Sequence, residues 1–266
     1  MLMPITPTVP RRSTFAKGVI SAAALLIALV AAACGASQPA SRGTIGALRG
    51  KSAAQALKLS LAAARGAGSV KLVEAESDSG KITTVTGVAG AATGTERFTI
   101  AGSQPIVFSL SLIGSTVYMQ ANKAALGYAL GASAAKAHAY AGRWISVTSA
   151  DSGYHRAEAN LKISFQLSTM SLSGPIGLGV PTVIRGQSVV GVTGTVNSRQ
   201  SNVGKLSATL YVSTTAPFLP VELLMRNQSS SIKVEISYSS WGKSFKLSAP
   251  RNAVPISSVQ PSAAKK

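Results

Sequence analysis

Few side chains in this sequence have the types and spacing that catalysis requires. Asp151 and His155 are four residues apart, so they would touch on one face of a helix, and any of the many serines could complete a hydrolytic triad with them. The sequence contains neither G-x-S-x-G nor H-E-x-x-H. Glu74 and Glu76 share one face of a strand, which we interpret as a solvated or edge face, and His138 has no second histidine nearby. We therefore predict no catalytic residue, no metal site and no cofactor, and a protein that is not an enzyme.

Cys34 is the only cysteine of the 266-residue chain and cannot form an internal disulfide. Residues 1–17 contain three basic residues and no acidic one, and residues 18–33 are uncharged and mostly apolar. This order is typical of a secretory signal peptide, and sixteen apolar residues are short for a membrane span, which needs about 20. We predict a signal peptide at residues 1–33. An ordinary secreted protein or a retained membrane anchor remain alternatives, as do the Sec and twin-arginine export routes.

The residues around Cys34 resemble the bacterial lipobox. Small residues precede the cysteine and Gly35 follows it, although Ala31 stands where the lipobox prefers leucine. In a lipobox the cysteine receives a diacylglyceryl thioether and becomes the mature N-terminus. The resemblance implies a lipoprotein anchored through Cys34 to the outer face of the bacterial cell membrane, because two or more acyl chains anchor stably.

The charge balance is strongly basic but dispersed. The chain has 26 Lys and Arg residues against 8 Asp and Glu, and loss of the three basic residues in 1–33 would leave a net charge of +15. The basic residues occur singly, and only 5% of residues are aromatic, too few for a base-stacking platform. We predict no nucleic-acid partner. Solvated strand faces and attraction to anionic lipid headgroups or cell-wall polymers both remain possible.

Periodicity divides the remainder of the chain into a linker, a single domain and a tail. Small residues at 34–50 indicate a flexible linker, and the apolar spacing of Ala54, Leu57, Leu61 and Ala64 predicts a helix at 51–65. The domain extends over 51–250 and is mostly alternating strands with short turns, including turns at Asp78–Gly80 and Gly186. Other segments are less regular. Residues 121–142 are helical in part, 152–170 fit either a strand or a helix with the helix favoured, 174–181 form a loop, and 251–266 form a disordered tail.

Several motifs in this order resemble the actinobacterial lipoprotein family of lipid carriers typified by LppX, LprA, LprF and LprG. Besides the lipobox, linker and first helix, they are "FSLSLIGSTVYMQ", "GRWISV", "IRGQSVVGVTGT", "LYVSTTAPFLPVEL" and "SYSSWGKSFKLSAP". The resemblance covers nearly the whole chain after Cys34. It implies an α+β fold in which a curved antiparallel sheet, a half-open β-barrel similar to that of the periplasmic Lol carriers, carries helices on its concave face.

The same resemblance implies an apolar cavity that binds an acylated lipid or glycolipid, and a protein that either carries this lipid between membranes or only stores or presents it. Strand alternation gives the candidate lining residues, which are Phe108, Leu110, Leu112, Val117, Met119, Leu210, Val212, Leu223, Met225, Val234 and Ile236. These residues would equally suit a filled core. The alternative function is therefore a structural or cell-wall interaction lipoprotein with a fully packed sheet and no ligand. The sequence indicates no particular oligomeric state.

The lipobox leads to a direct test. Cys34→Ser removes the sulfur that would carry the diacylglyceryl group, so we expect the variant to remain unacylated and to leave the membrane fraction. Membrane fractionation with metabolic labelling by a radioactive fatty acid measures both effects. A variant that runs at mature size and still sediments with membranes would contradict the lipoprotein assignment.

Overall fold

A twelve-stranded sheet is the main element of the part of the chain that the structure describes. The structure is a computed structural model that describes Leu48 and residues 50–197, 204–227 and 231–260. Numbered along the chain, the strands are β1 (Ser69–Asp78), β2 (Lys81–Gly90), β3 (Gly94–Ile100), β4 (Ile106–Ile113), β5 (Thr116–Ala121), β6 (Trp144–Val147), β7 (Ser173–Ile184), β8 (Gln187–Asn197), β9 (Lys205–Ser213), β10 (Pro220–Arg226), β11 (Ile232–Ser239) and β12 (Val254–Pro255). Their spatial order is β12-β6-β5-β4-β3-β2-β1-β11-β10-β9-β8-β7.

The sheet consists of two antiparallel meanders that are joined by the pairing of one strand from each. Strands β1 to β6 form the first meander, and β7 to β11 form the second. Strand β1 pairs with β11 and joins them, whereas β12 adds to the outer edge of β6 in parallel. The two edge strands, β7 and β12, do not pair with each other. The sheet is therefore curved and unclosed, as the sequence predicts.

Two of the hairpins have turns that the sequence identifies. Ser79 and Gly80 connect β1 to β2 with φ angles of 48° and 83°, and Arg185 and Gly186 connect β7 to β8 with φ angles of 51° and 75°. Two consecutive residues with positive φ are typical of the tight turns whose twist matches that of paired strands. The turns predicted at these two places are therefore confirmed.

The helices of the described residues pack on one face of the sheet, which we call the inner face. They are α1 (Ala53–Ala67), α2 (Lys123–Leu130), α3 (Ala134–Tyr140), α4 (Tyr154–Asn160) and α5 (Ile163–Thr169), with a 3₁₀ helix at Ile256–Ser258. Helix α1 packs against β1 and β7 to β10, α5 packs against β2 and α1, and α2 and α4 pack against β5. Two hydrophobic clusters result, one under α1 and α5 and the other under α2 and α4. This arrangement confirms the predicted fold class.

Helix α1 begins and ends at residues that suit helix termini. The Ser52 hydroxyl accepts a hydrogen bond from the Gln55 amide at 3.2 Å, the Gln55 side chain accepts one from the Ser52 amide at 2.9 Å, and Gly68 ends the helix with a φ of 72°. The buried side of the helix includes Ala56 and Ser60. Ala54, which the periodicity places on the apolar face, is exposed.

The ambiguous segment at 152–170 is helical, but in two pieces. Helices α4 and α5 are separated at Leu161 and Lys162, where the chain approaches the sheet closely enough for Lys162 to form a bridge with Gly90. The Leu161 carbonyl lies against Gly94, where a side chain would have no room. The break between the helices is therefore a docking point on the sheet, and alternation of apolar residues alone does not predict it.

The prediction of a loop at 174–181 is wrong, because this segment belongs to β7. Pro175 and Pro181 have no amide hydrogen to donate, but β7 is an edge strand that pairs only with β8. The pairing is irregular near both prolines. The glycines and prolines that suggest a loop are thus compatible with an edge strand.

The prediction of a disordered tail at 251–266 is wrong for the residues up to 260. After Pro250 the chain forms β12 and the 3₁₀ helix, and it buries Ile256 and Val259 in the second hydrophobic cluster. The Lys136 ammonium donates a hydrogen bond of 2.6 Å to the Gln260 carbonyl. The domain predicted at 51–250 therefore extends to about residue 260, and residues 261–266 lie outside the described part.

The predicted signal peptide at 1–33, Cys34 and most of the predicted linker at 34–50 also lie outside the described residues. The described elements all belong to one compact unit, Arg42–Lys266, which contains both hydrophobic clusters. A unit with its own core is able to fold alone. Among the described helices, none combines the length and the apolar character needed to cross a membrane.

The contact at Gly94 leads to a stability test. A Cβ at this position would overlap the Leu161 carbonyl, so we expect Gly94→Ala to lower the free energy of unfolding by about 1–3 kcal/mol or more. Gly102→Ala is the matched control, because a Cβ at Gly102 meets no atom within 4 Å. Urea titration measures both variants. Equal stability of the two would show that the α4–α5 break does not dock at β3.

Candidate functional site

A cavity lies between helix α5 and the inner face of the sheet. Its volume is about 300 Å³. The walls come from β1, β8, β9, β10 and β11 on the sheet side, and from α5 and the start of β7 on the other. Its lining residues are Glu74, Glu76, Phe165, Ser168, Thr169, Ser171, Ser173, Val196, Asn197, Leu206, Met225, Ile232 and Val234.

Strand register places much of the sheet wall in one row. Glu76 on β1 is opposite Val234 on β11, and Val234 is opposite Met225 on β10. These three side chains therefore project from neighbouring strands on the same face. Val196 on β8 and Leu206 on β9 form a further cross-strand pair. The wall is apolar on the β8 to β11 side and becomes acidic at β1.

The structure corrects the interpretation of Glu74 and Glu76 as residues of a solvated or edge face. Strand β1 is central in the sheet, and its residues Val70 and Leu72 are buried on the inner face. The two glutamates continue the same alternation and are half-buried. The change from apolar to acidic residues along one face of a single strand is the feature of the sequence that could have indicated this site.

All eleven predicted lining residues lie on the inner face, as the strand registers show. Met225 and Val234 line the cavity. The other nine do not line it. Seven of these are buried in the two hydrophobic clusters, and they are Leu112, Val117, Met119, Leu210, Val212, Leu223 and Ile236. Their contact with a lipid stays a prediction, since helices α1, α2 and α4 cover this part of the face.

The remaining two residues, Phe108 and Leu110, are half-buried where the two hydrophobic clusters meet. The Phe108 ring stacks on that of Phe98 with 4.7 Å between centroids, and Phe98 packs against the first cluster. The inner face is therefore apolar but incompletely covered between the clusters.

The one candidate catalytic pair does not form. The Asp151 carboxylate accepts hydrogen bonds from the Thr148 amide at 2.7 Å and hydroxyl at 2.8 Å, and so organises a turn before α4. The His155 side chain is 81% exposed and lies 3.6 Å from Glu158. Lys162, which donates to Glu158 at 2.8 Å, holds the pKa of that carboxyl below its usual value. Within the described residues, no group of three or more His, Cys, Asp and Glu is arranged to hold a metal.

The fold is similar to that of two mycobacterial proteins of known structure. LprF from Mycobacterium bovis is 16% identical, with a TM-score of 0.52, and the match covers 74% of this chain and 96% of LprF. The Mycobacterium tuberculosis lipoprotein LppX is 14% identical, with a TM-score of 0.48 over 73% of this chain and 96% of LppX. No protein-family model and no curated protein sequence matches the chain. The likeness to LprF confirms the fold that the motifs imply.

Packing around the cavity leads to a comparison of two neighbouring residues on β10. Leu223 is fully buried in the first cluster, so Leu223→Ala should lower the free energy of unfolding by about 2–5 kcal/mol. Met225 borders empty space, so Met225→Ala should cost less, because fewer neighbours lose contacts. Chemical denaturation measures both. A larger loss for Met225→Ala than for Leu223→Ala would mean that the cavity is filled in solution.

Proposed function

We propose that this protein is an exported, membrane-anchored lipoprotein that binds an acylated lipid or glycolipid in the cavity beside α5. The observation that carries the proposal is a cavity with an apolar wall on the inner face of an LprF-like open sheet. Acyl chains bind to such surfaces without any catalytic group, because each CH₂ that leaves water contributes about 0.8 kcal/mol. About a dozen buried CH₂ groups would contribute about 10 kcal/mol, which lies within the range of the entropy cost of association, about 4–15 kcal/mol.

The volume of the cavity limits the size of the ligand that it can accommodate. A volume of about 300 Å³ lies at the lower end of ligand pockets, which extend over about 300–1,000 Å³. We infer that the cavity accommodates part of one acyl chain. The half-buried apolar surface around Phe98 and Phe108 provides a further place for hydrocarbon on the same face.

A structural module with a fully packed sheet is the second candidate, and the two well-packed hydrophobic clusters favour it. A fully packed module has no use for a cavity between α5 and the sheet, so the cavity favours the binding function.

The proposed anchor is the lipid on Cys34, and the proposed location is the outer face of the cell membrane. From that position the protein would carry lipid between membranes. The scattered positive charge would add weak attraction to anionic headgroups. We propose no catalytic role and no nucleic-acid partner.

Filling the cavity tests the binding function. Val234→Trp places an indole between Glu76 and Met225, so we expect the dissociation constant of a fluorescent acyl lipid to rise at least about tenfold, roughly 1.4 kcal/mol. Stability should change little, because the ring occupies empty space. Displacement titration gives the constants, and mass spectrometry of the purified chain from residue 35 onward identifies lipid that it retains.

Val73→Trp is the matched control. Val73 lies on the outer face of β1 and is 44% exposed, so its replacement should leave binding unchanged. Lipid binding that is equal in the two variants, or absent from the unmutated protein, would support the packed module.

A further inference from the structure

Strand β7, at one edge of the sheet, has an exposed apolar patch. Among the described residues, β7 has more exposed large apolar side chains than any other element, and they are Leu178 (42% exposed), Val180 (82%) and Val183 (64%). Apolar side chains that cluster on a surface, rather than occur singly, mark a place that contacts an apolar partner or a membrane. We call these three residues the edge patch.

The backbone of β7 is unsuited to pairing with a strand of another molecule. Pro175 and Pro181 lack the amide hydrogen that a neighbouring strand would need. The register with β8 shifts near both prolines, and Val180 lies in one of these irregular stretches. Prolines and bulges on an edge strand prevent edge-to-edge association. The edge patch therefore offers side chains, and not a regular backbone edge, to the partner that covers it.

The chain that leads back to Cys34 joins the domain near this edge. Helix α1 continues through Gly68 into β1, and it packs against β1 and against β10, β9, β8 and β7. The six adjacent strands from β1 to β7 extend over about 24 Å, since neighbouring strands are about 4.8 Å apart. A helix of 15 residues is about 22 Å long. Because its C-terminal end is at β1, the N-terminal end of α1 lies near β7.

The elements near this edge are basic. All eight acidic residues lie outside residues 1–73 and 159–221, two ranges that include α1 and strands β7 to β9. Lys51 just before α1 and Lys58 within it are exposed. On the next strands, Glu222 and Glu235 form ion pairs with Arg185. Exposed cations near an apolar patch suit the surface of an anionic bilayer, whose headgroups attract the cations.

We propose that the edge patch, together with Lys51 and Lys58, is the surface through which this domain contacts an anionic phospholipid bilayer. The two lysines face the headgroups, and the side chains of the edge patch reach the acyl boundary. Insertion is shallow, because the edge backbone of β7 needs hydrogen-bond partners that headgroups and water supply and hydrocarbon does not. The inference rests on the proposed anchor for the orientation of the domain, but the contact itself requires neither a bound acyl chain nor acylation of Cys34.

A fluorescent label tests where the contact lies. The chain from residue 35 onward contains no cysteine, so Val180→Cys provides a unique site for a polarity-sensitive NBD label. Vesicles of equal parts phosphatidylglycerol and phosphatidylcholine should raise the emission of this label and shift it to shorter wavelength, because the label leaves water. Ile82→Cys is the matched control at an exposed apolar position on β2, and its label should not respond. Vesicles of phosphatidylcholine alone should affect both labels little.

Removal of the apolar side chains tests their contribution. Val180→Asn with Val183→Asn should lower the partition coefficient of the chain from residue 35 onward on the anionic vesicles about tenfold or more, because two valines then no longer leave water on binding. Both side chains are exposed, so the stability of the fold should change little. Ile82→Asn is the matched control and should leave the partition coefficient unchanged. Vesicle sedimentation measures the coefficients, and urea titration verifies the stability.

Removal of the cations tests the electrostatic part. Lys51→Gln with Lys58→Gln should lower the same coefficient about tenfold or more, since each cation near an anionic surface contributes about 1 kcal/mol, roughly fivefold. Lys71→Gln with Arg97→Gln removes the same charge from exposed positions on the outer face of the first meander and is the matched control. Its effect should be about threefold or less, because salt screens charges that lie away from the bilayer.

Three results would overturn the inference. The first is a label at residue 180 that stays in water on anionic vesicles. The second is a loss of binding that is absent, or equal in the site and control variants. The third is a dimer, detected by light scattering, that Val180→Asn with Val183→Asn dissociates, because a second copy would then cover the edge patch. The displacement titration of acyl lipid tests the proposed function separately, since the edge patch does not line the cavity.

Discussion

The pairing of β1 with β11 is the interaction on which the rest of the structure depends. Eight residue pairs, from Lys71↔Ser239 to Asp78↔Ile232, join the two meanders into one sheet. The partners are far apart in sequence, so this pairing closes a long loop of chain and requires both meanders to form. It also puts Glu74 and Glu76 beside the apolar residues of β11. The same strand pair therefore holds the fold together and supplies the junction between the acidic and apolar walls of the cavity.

An open sheet of this size needs other elements to cover its inner face. Helix α1 covers the second meander and is well capped, and α2, α4 and the 3₁₀ helix cover the end of the first. Helix α5 has only seven residues and no side-chain cap. It leaves a gap against β1 and β8 to β11, and its last turn contributes hydroxyl groups to that gap. The cavity thus follows from a short helix lying over a wide sheet.

Strand alternation predicts the fold and the inner face well. All eleven candidate residues project from that face, because register fixes side-chain direction on paired strands. Alternation cannot indicate which of these residues a helix covers, and so only Met225 and Val234 line the cavity. Strand β7 is missed because its glycines and prolines are typical of loops. Residues 254–260 are missed because a few separated aliphatic side chains, Val254, Ile256 and Val259, hold this short segment against the second cluster.

Photo-crosslinking tests the central claim, that the inner-face cavity binds an acyl chain, most directly. A monoacylglycerol with a diazirine in its acyl chain would be irradiated with the chain from residue 35 onward, and peptide mass spectrometry would locate the label. We expect saturable labelling of Phe165, Met225 and Val234, which an excess of unlabelled monoacylglycerol lowers. Labelling that is not saturable, or that is confined to exposed outer-face residues such as Val73 and Ile82, would contradict it.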